Sequence, residues 1–180
     1  YKRQVHGLGE HSGRYAHLAA CLNHAGYGLM GFDLRGHGRS QGQRGHAPGL
    51  EALMADISHL LTEATERFPN ASRFLYGHSM GGNLVLAYSL QHRPPLAGVI
   101  ATSPSLRPTF KPPAWKLTLG RVMCSVWPTL SMSNGIERQA LSRDPQVVRA
   151  YNSDPLVHDR VTARLGIDLL QSGLWALGHA

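Results

Sequence analysis

Short apolar segments alternate with segments of helical periodicity over the first hundred residues of the chain. The clearest helix covers residues 50–64, where apolar residues recur at offsets of 3, 4, 7, 10, 11 and 14 from Leu50. The predicted elements are, in order, helix 15–25, strand 27–33, helix 50–64, strand 72–76, helix 82–92 and strand 96–103. This alternation predicts an α/β fold, with a mostly parallel sheet flanked by helices on both faces.

The character of the chain changes after Ser103. Residues 104–135 contain five prolines, and their apolar residues include Trp115 and Trp127. We therefore predict three parts: an N-terminal part of the core over 1–103, a helical cap (lid) insertion over 104–165, and a helix over 166–180 that leads back to the core. No apolar run reaches the roughly 18 residues that a membrane span requires.

The charge balance bears on the binding partners. The formal net charge is +7, and 15 of the 18 basic residues are arginine. These arginines are scattered and lack interleaved aromatic residues, so no nucleic acid is expected as a partner. The surplus fits peripheral contact with an anionic membrane surface, although a missing acidic segment would leave the same surplus. The two cysteines, Cys21 and Cys124, show no framework spacing, which favours a reduced, cytoplasmic setting.

A Gly-x-Ser-x-Gly motif at residues 77–81 lies between a predicted strand and a predicted helix. In that context the two glycines allow a sharp turn that exposes Ser79, and the helix N-terminus favours developing negative charge. Ser79 is therefore the candidate nucleophile. The alternative is a glycine-rich helix start without chemistry. Consecutive side chains diverge on such a turn, so His78 is expected to be a packed or hydrogen-bonding neighbour rather than the base.

The segment HGLGEHSGRY, residues 6–15, supplies the second signal. A His-Gly turn after a first strand can place a backbone N–H beside the nucleophile as half of an oxyanion hole. We assign this role to the N–H of Leu8, with the N–H of Met80 as its partner. The alternative is an ordinary glycine turn.

Two cofactor hypotheses receive little support. His6, His11 and His17 suggest a metal site, but the chain has no His-Glu-x-x-His motif, no cysteine pair and no matching carboxylate spacing. Residues 32–46 are glycine-rich but match neither common nucleotide-binding pattern. We expect no metal and no other cofactor. The glycine-rich loop is instead predicted to be a tight structural turn that is pinned by Asp33, Arg35 and Arg44.

Taken together, HGLGEHSGRY, GFDLRGHGRSQGQRGH and YGHSMGGNLVLAY resemble the monoacylglycerol lipase and lysophospholipase branch of the α/β-hydrolases, which is similar to serine aminopeptidase S33 domains. The segment ALSRDPQVVRAYNSDPLV, residues 140–157, resembles the cap of the same family. The resemblance implies an α/β-hydrolase fold with an inserted helical cap. It also implies a serine hydrolase that cleaves ester bonds of small, single-chain lipid substrates. The family's nucleophile falls on Ser79, and its oxyanion amides fall on Leu8 and Met80.

The sequence departs from that family in the acid and the base. A serine hydrolase of this kind needs a carboxylate and then a histidine after the nucleophile. The candidates after residue 103 are Asp144, Asp154, Asp159, Asp168, His158 and His179. No strand-like apolar run there carries them, and the resemblance puts Asp154 and His158 in the cap. We expect the acid and base to lie beyond Ala180, and the C-terminal strands of the sheet to be missing.

The first strand also departs from expectation, because Tyr-Lys-Arg-Gln precedes Val5 where an apolar run is expected. Both ends therefore suggest an internal fragment. Two other functions stay open: a catalytically inactive binding module of the same fold, and a related esterase or aminopeptidase. The sequence does not specify the oligomeric state.

Overall fold

The central sheet consists of four parallel strands in a computed structural model that describes residues 2–108 and 113–180. The strands are β1 (Lys2–Val5), β2 (Leu29–Gly31), β3 (Phe74–His78) and β4 (Gly98–Thr102). Their order is β2-β1-β3-β4, so β1 and β3 lie side by side at the centre. The predicted parallel sheet is therefore confirmed. All three predicted strands, 27–33, 72–76 and 96–103, begin two residues too early, because periodicity locates apolar residues and not the first paired backbone group.

Helices cover both faces of the sheet. They are α1 (Ala16–His24), α2 (Leu50–Arg67) and α3 (Met80–His92). Successive side chains of a strand point to opposite faces. Leu75 of β3 is fully buried in the core formed with α2 and α3, whereas the Tyr76 ring lies 6.0 Å from the ring of Tyr15, which precedes α1. The opposite faces of β3 thus carry different helices, as the alternation predicted.

The strand β1 holds the centre of the sheet despite its polar sequence. It pairs with both β2 and β3 through its backbone. Arg3 and Gln4 are fully buried, and their side-chain nitrogen and oxygen atoms have no hydrogen-bond partner among the described residues. Burial, and the neighbouring charge of Arg73, lower the pKa of Arg3. Backbone pairing on both sides therefore stabilises this strand, while side-chain burial opposes it.

The insertion after β4 contains helices and a small second sheet. Its helices are α4 (Ala114–Val126) and α5 (Pro145–Ser153), with a short 3-10 helix between them at Arg138–Leu141. Two three-residue strands, β5 (Ser131–Ser133) and β6 (Arg160–Thr162), pair antiparallel. The prediction of a mainly helical segment missed this pair, because three residues are too few to show an alternating pattern.

The last helix, α6 (Ala163–Gly178), packs on α3. The fully buried Asn83 of α3 joins them: its Nδ2 donates to the carbonyls of Ser105 (2.8 Å) and Leu169 (2.9 Å). The hydroxyl of Ser172 donates to Asn83 Oδ1 at 2.7 Å. One amide side chain thus links the serine-bearing helix, the segment after β4 and α6.

Replacing Asn83 with alanine tests this link. The change leaves two carbonyls and the Ser172 hydroxyl without their partner in a buried region, at a cost of about 3 kcal/mol. We expect the melting temperature to fall by roughly 6–12 °C. Asn23→Ala, at an exposed position of α1, is the control in the same thermal scan. Equal melting temperatures for the two variants would contradict the proposed link.

Candidate active site

Ser79 occupies a strained turn between β3 and α3. Its backbone angles are φ 52° and ψ −115°, a region that residues other than glycine rarely adopt. Three backbone hydrogen bonds hold the turn: Ser79 N–H donates to Thr102 O at 3.0 Å, and the N–H groups of Asn83 and Ser105 donate to Ser79 O at 3.1 Å. The sequence prediction of a strand–serine–helix turn is confirmed at the level of the backbone.

The glycines on either side of the turn lie against other backbone atoms. A Cβ atom on Gly77 would overlap the carbonyl of Gly81. A Cβ atom on Gly81 would overlap the carbonyl of Val5 and approach that of His6. Both positions therefore require glycine, because a side chain would push α3 away from β3 at Gly77 and away from β1 at Gly81.

The loop from His6 to Glu10, here called the oxyanion loop, passes directly beside Ser79. A Cβ atom on Gly7 would lie 3.3 Å from Ser79 Cβ. The Gly7 N–H donates to Glu10 Oε1 at 2.7 Å, so it is already engaged. By contrast, the N–H groups of Leu8 and Met80 donate no hydrogen bond to any residue in the described ranges. These are the two donors that the sequence singled out, and both stay open for a ligand.

Glu10 is a site residue that the sequence reasoning missed. Besides the hydrogen bond from the Gly7 N–H, it accepts one from the Tyr15 hydroxyl at 2.7 Å. It also forms an ion pair with Arg14 at 3.3 Å. The Arg14 guanidinium in turn lies 4.6 Å from the ring centre of Tyr151 in α5. Burial, together with the Glu10 carboxylate, raises the pKa of Tyr15. The available signal in the sequence was an acidic residue within a glycine turn, because a carboxylate that is removed from water accepts hydrogen bonds from nearby donors.

The described histidines do not reach the Ser79 hydroxyl. No hydrogen bond joins a ring nitrogen to Ser79 Oγ within residues 2–108 and 113–180. His78 Nδ1 lies 3.0 Å from Thr102 Oγ1, as expected for a neighbour that points away. His158 Nε2 donates to Gly36 O at 3.1 Å, and His179 stacks on Trp175.

The candidate carboxylates are occupied elsewhere too. Asp154 bonds to His11 at 2.8 Å, and although burial opposes ionisation, this bond and its neighbours lower the pKa of Asp154. Asp144 caps α5 by accepting the Gln146 N–H, and Asp168 pairs with Arg164 on α6. Nucleophile, acid and base are therefore not assembled by these side chains.

The glycine-rich loop at 32–46 is pinned as predicted. Asp33 accepts hydrogen bonds from Ser12 N–H, Ser12 Oγ–H and Arg39 N–H at 2.7–2.8 Å. Arg35 makes a two-point ion pair with Asp56 of α2 at 2.6 and 2.8 Å. Arg44 Nη1 donates to Ser40 O at 3.2 Å within the loop. In the part of the chain that the structure describes, no three histidine, cysteine or acidic side chains gather as a metal site would require.

Three histidine rings, here called the histidine stack, lie one against the next behind the oxyanion loop. The ring centres of His6 and His37 are 5.2 Å apart, and those of His37 and His158 are 4.8 Å apart. Burial is the largest cause that lowers the pKa of all three, and it lowers that of His37 to about 3. The stack is therefore neutral at physiological pH.

An apolar cavity of about 510 Å³ lies between α4, the β5–β6 pair and α6. Its lining includes Leu119, Met123, Met132, Val161 and Ile167. A larger, open depression of about 840 Å³ follows the 32–48 loop and α2, and Ser79 is not among its lining residues. Of these two spaces, the cavity beside α4 has the surface better suited to an alkyl chain, and Ser79 does not line it either.

The parallel sheet, the flanking helices and the serine turn between β3 and α3 define an α/β-hydrolase fold. Within this fold class, the chain belongs to the family described as serine aminopeptidase, S33, which matches residues 4–180. The earlier resemblance to α/β-hydrolases of the monoacylglycerol lipase type is confirmed.

Several relatives and one solved structure are similar over most of the chain. The crystal structure of Paleococcus ferrophilus monoacylglycerol lipase is 41% identical, with a TM-score of 0.89 over 99% of this chain and 67% of that one. The monoacylglycerol lipase of Mycolicibacterium smegmatis is 35% identical over 154 residues, which are 86% of this chain and 55% of the relative. An uncharacterised abhydrolase domain-containing protein of Dictyostelium discoideum is 41% identical over 170 residues, 93% of this chain and 18% of its own length. The chain thus spans about half the length of the bacterial lipase.

Acid titration tests the neutral state of the histidine stack. The folded pKa values lie below the ordinary value of about 6.5, so the unfolded chain binds more protons between that value and the lowered ones. The contribution of the three neutral rings to the free energy of unfolding is fully present above pH about 6.5. It is lost as the pH drops toward 3, by at most about 1.4 kcal/mol per pH unit for each histidine. We expect urea midpoints to decrease from pH 7 to pH 5.

His37→Gln removes one of the titrating groups and is expected to reduce this pH dependence, whereas His24→Gln, at an exposed position, leaves it unchanged. The comparison stays above pH 5 so that carboxylates contribute little. If the urea midpoint changed with pH by the same amount in both variants, the burial of His37 would make no contribution to the pH dependence.

Proposed function

We propose that the full gene product is a serine hydrolase that cleaves carboxylic esters of monoacylglycerol-like or lysophospholipid-like substrates. The observation that carries this proposal is the placement of Ser79 on a strained turn beside the unpaired N–H groups of Leu8 and Met80. Two relatives named monoacylglycerol lipase support the choice of substrate class.

In the proposed mechanism Ser79 Oγ attacks the ester carbonyl carbon, and the carbonyl oxygen takes up the negative charge. The N–H groups of Leu8 and Met80 stabilise that oxyanion, and the positive end of α3 adds a favourable field. The alcohol then leaves, and water releases the acyl group from Ser79. A histidine must accept the serine proton, with a carboxylate behind it, and the described residues do not supply this pair.

We further propose that residues 104–165 form a cap over the site and that the apolar cavity beside α4 receives the acyl chain. A cavity of about 510 Å³ is large enough for an extended alkyl chain of moderate length. Segment 154–162 returns to the core here: His158 N–H donates to Gly9 O at 2.9 Å, and Thr162 N–H donates to Gly45 O at 2.9 Å. The proposed cap is thereby tied to the oxyanion loop.

Ser79→Ala is expected to abolish both hydrolysis of a monoacylglycerol and labelling by a fluorophosphonate probe. A serine that is activated by a base loses about 10⁶-fold in rate when its hydroxyl is removed. The control is Ser153→Ala, an exposed position whose hydroxyl bonds only to its own helix.

Three outcomes separate the alternatives for this chain. Hydrolysis of a peptide amide in place of the ester would favour an aminopeptidase. A folded gene product that neither hydrolyses nor labels at Ser79 would favour the inactive binding module. Ester hydrolysis that survives in Ser79→Ala would remove Ser79 from the mechanism.

Peripheral contact with a membrane surface is a second part of the proposal. No helix in the described ranges has the length and hydropathy of a bilayer span. Helix α4 and the residue after it nevertheless expose large apolar side chains, with Val126 76% and Trp127 56% accessible. Arg121 is exposed on the same helix, and an apolar face next to basic groups suits an anionic lipid surface.

Val126→Glu is expected to weaken sedimentation with anionic phosphatidylglycerol vesicles several-fold, because it places a charge on the apolar face. Hydrolysis of a soluble short-chain ester should not change. Leu177→Glu, on the exposed side of α6, is the matched control. Equal vesicle binding by wild type and Val126→Glu would place the contact surface elsewhere.

A further inference from the structure

The direction of the Leu8 N–H is set by a single hydrogen bond on the preceding carbonyl. His6 Nδ1 lies 2.8 Å from Gly7 O, and since a carbonyl only accepts, Nδ1 carries the proton and donates. The Gly7 carbonyl and the Leu8 N–H belong to one planar trans peptide and point in opposite directions. Holding the Gly7 oxygen therefore orients the Leu8 N–H.

The His6 ring is itself held in one tautomer. Leu34 N–H donates to His6 Nε2 at 3.0 Å, so this nitrogen must be unprotonated. If Nε2 also carried a proton, it and the Leu34 N–H would both be donors, and the hydrogen bond between them would be lost. Only the neutral ring with Nδ1–H satisfies both partners, and the ring is fully buried.

The other two rings connect His6 to the segment that returns from the insertion. His37 lies between the rings of His6 and His158, and its Nδ1 donates to Arg35 O at 3.0 Å. His158 donates through its ring to Gly36 O, and through its backbone to Gly9 O at 2.9 Å. Its Nδ1 accepts from Arg160 N–H, so this ring is neutral as well.

We propose that the histidine stack positions the Leu8 N–H toward Ser79: His6 holds the Gly7–Leu8 peptide, and His37 and His158 hold His6 in place from the side of the insertion. The inference rests on the proposed role of Leu8 as an oxyanion donor. None of the three rings is bonded to Ser79 Oγ, so all three act as positioning residues rather than as catalytic residues.

Some of the charges that face the stack raise the pKa of its rings, and others lower it. Carboxylates near the outer rings favour protonation, whereas cations and neighbouring rings oppose it, and burial outweighs them all. The facing groups are Glu10, Asp33 and His11 around His6, Arg44 beside His37, and Arg44 and Asp159 beside His158. The pKa values of all three rings in the stack therefore lie below the ordinary histidine value.

The test uses the ¹⁵N-labelled full gene product and two readouts. The first is the amide resonance of Leu8, and the second is the split between kcat and KM for a soluble short-chain ester. His37→Gln and His158→Gln are expected to shift the Leu8 resonance and to lower kcat about tenfold with KM within twofold. This loss is smaller than the roughly hundredfold cost of losing an oxyanion donor outright. His24→Gln should change neither readout.

A titration of the wild type adds a measurement that needs no variant. The Leu8 resonance should move only together with the ring resonances of the stack as the pH is lowered. A Leu8 amide that moves at a pH where the ring resonances of the stack do not change would overturn the proposal.

The remaining outcomes distinguish this proposal from the proposed function. Lower melting temperatures for both stack variants, with an unmoved Leu8 amide and unchanged kcat, would reduce the stack to a purely structural role and overturn the inference. A wild type that cleaves no ester, while its Leu8 amide responds to His37→Gln as expected, would refute the proposed function and support the positioning by the stack.

Discussion

The close approach of backbone atoms at the Ser79 turn is the contact on which the rest of this site depends. Gly81 lies against the carbonyls at the end of β1, and Gly77 lies against Gly81. Because neither position has room for a Cβ atom, α3 sits directly on the strand that continues into the oxyanion loop. Ser79, the proposed nucleophile, and the loop that carries Leu8 are therefore brought together by one steric fit, and the strain at Ser79 is sustained by the backbone hydrogen bonds around it.

Polar side chains that are buried or half-buried hold the segments around the candidate site. Asp33, Glu10 and Asn83 each accept or donate several hydrogen bonds, and His6 satisfies one donor and one acceptor. Such networks define one arrangement because an unmatched partner in a low-dielectric interior is costly. The loops that carry the candidate site thus have fixed geometry without regular secondary structure.

The insertion contacts the core at several places, among them the packing of Arg14 on the Tyr151 ring of α5. Residues 154–162 bond to the oxyanion loop and to the 32–46 loop, and α6 packs on α3 through Asn83. Helix α4 is more exposed and carries the apolar surface. Segment 154–162 is thus a direct contact between the insertion and the oxyanion loop.

The sequence alone determined the parallel α/β architecture, the turn at Ser79 and the two candidate N–H donors. Periodicity and glycine spacing are local properties, and the backbone follows them directly. Only the tertiary structure decided that the polar strand β1 lies at the sheet centre, that β5 pairs with β6, that Glu10 accepts the Gly7 N–H, and that the rings of His37 and His158 pack beside His6. These features depend on contacts between residues far apart in the chain, such as His6, His37 and His158, and no local pattern encodes which distant side chains will share a buried space.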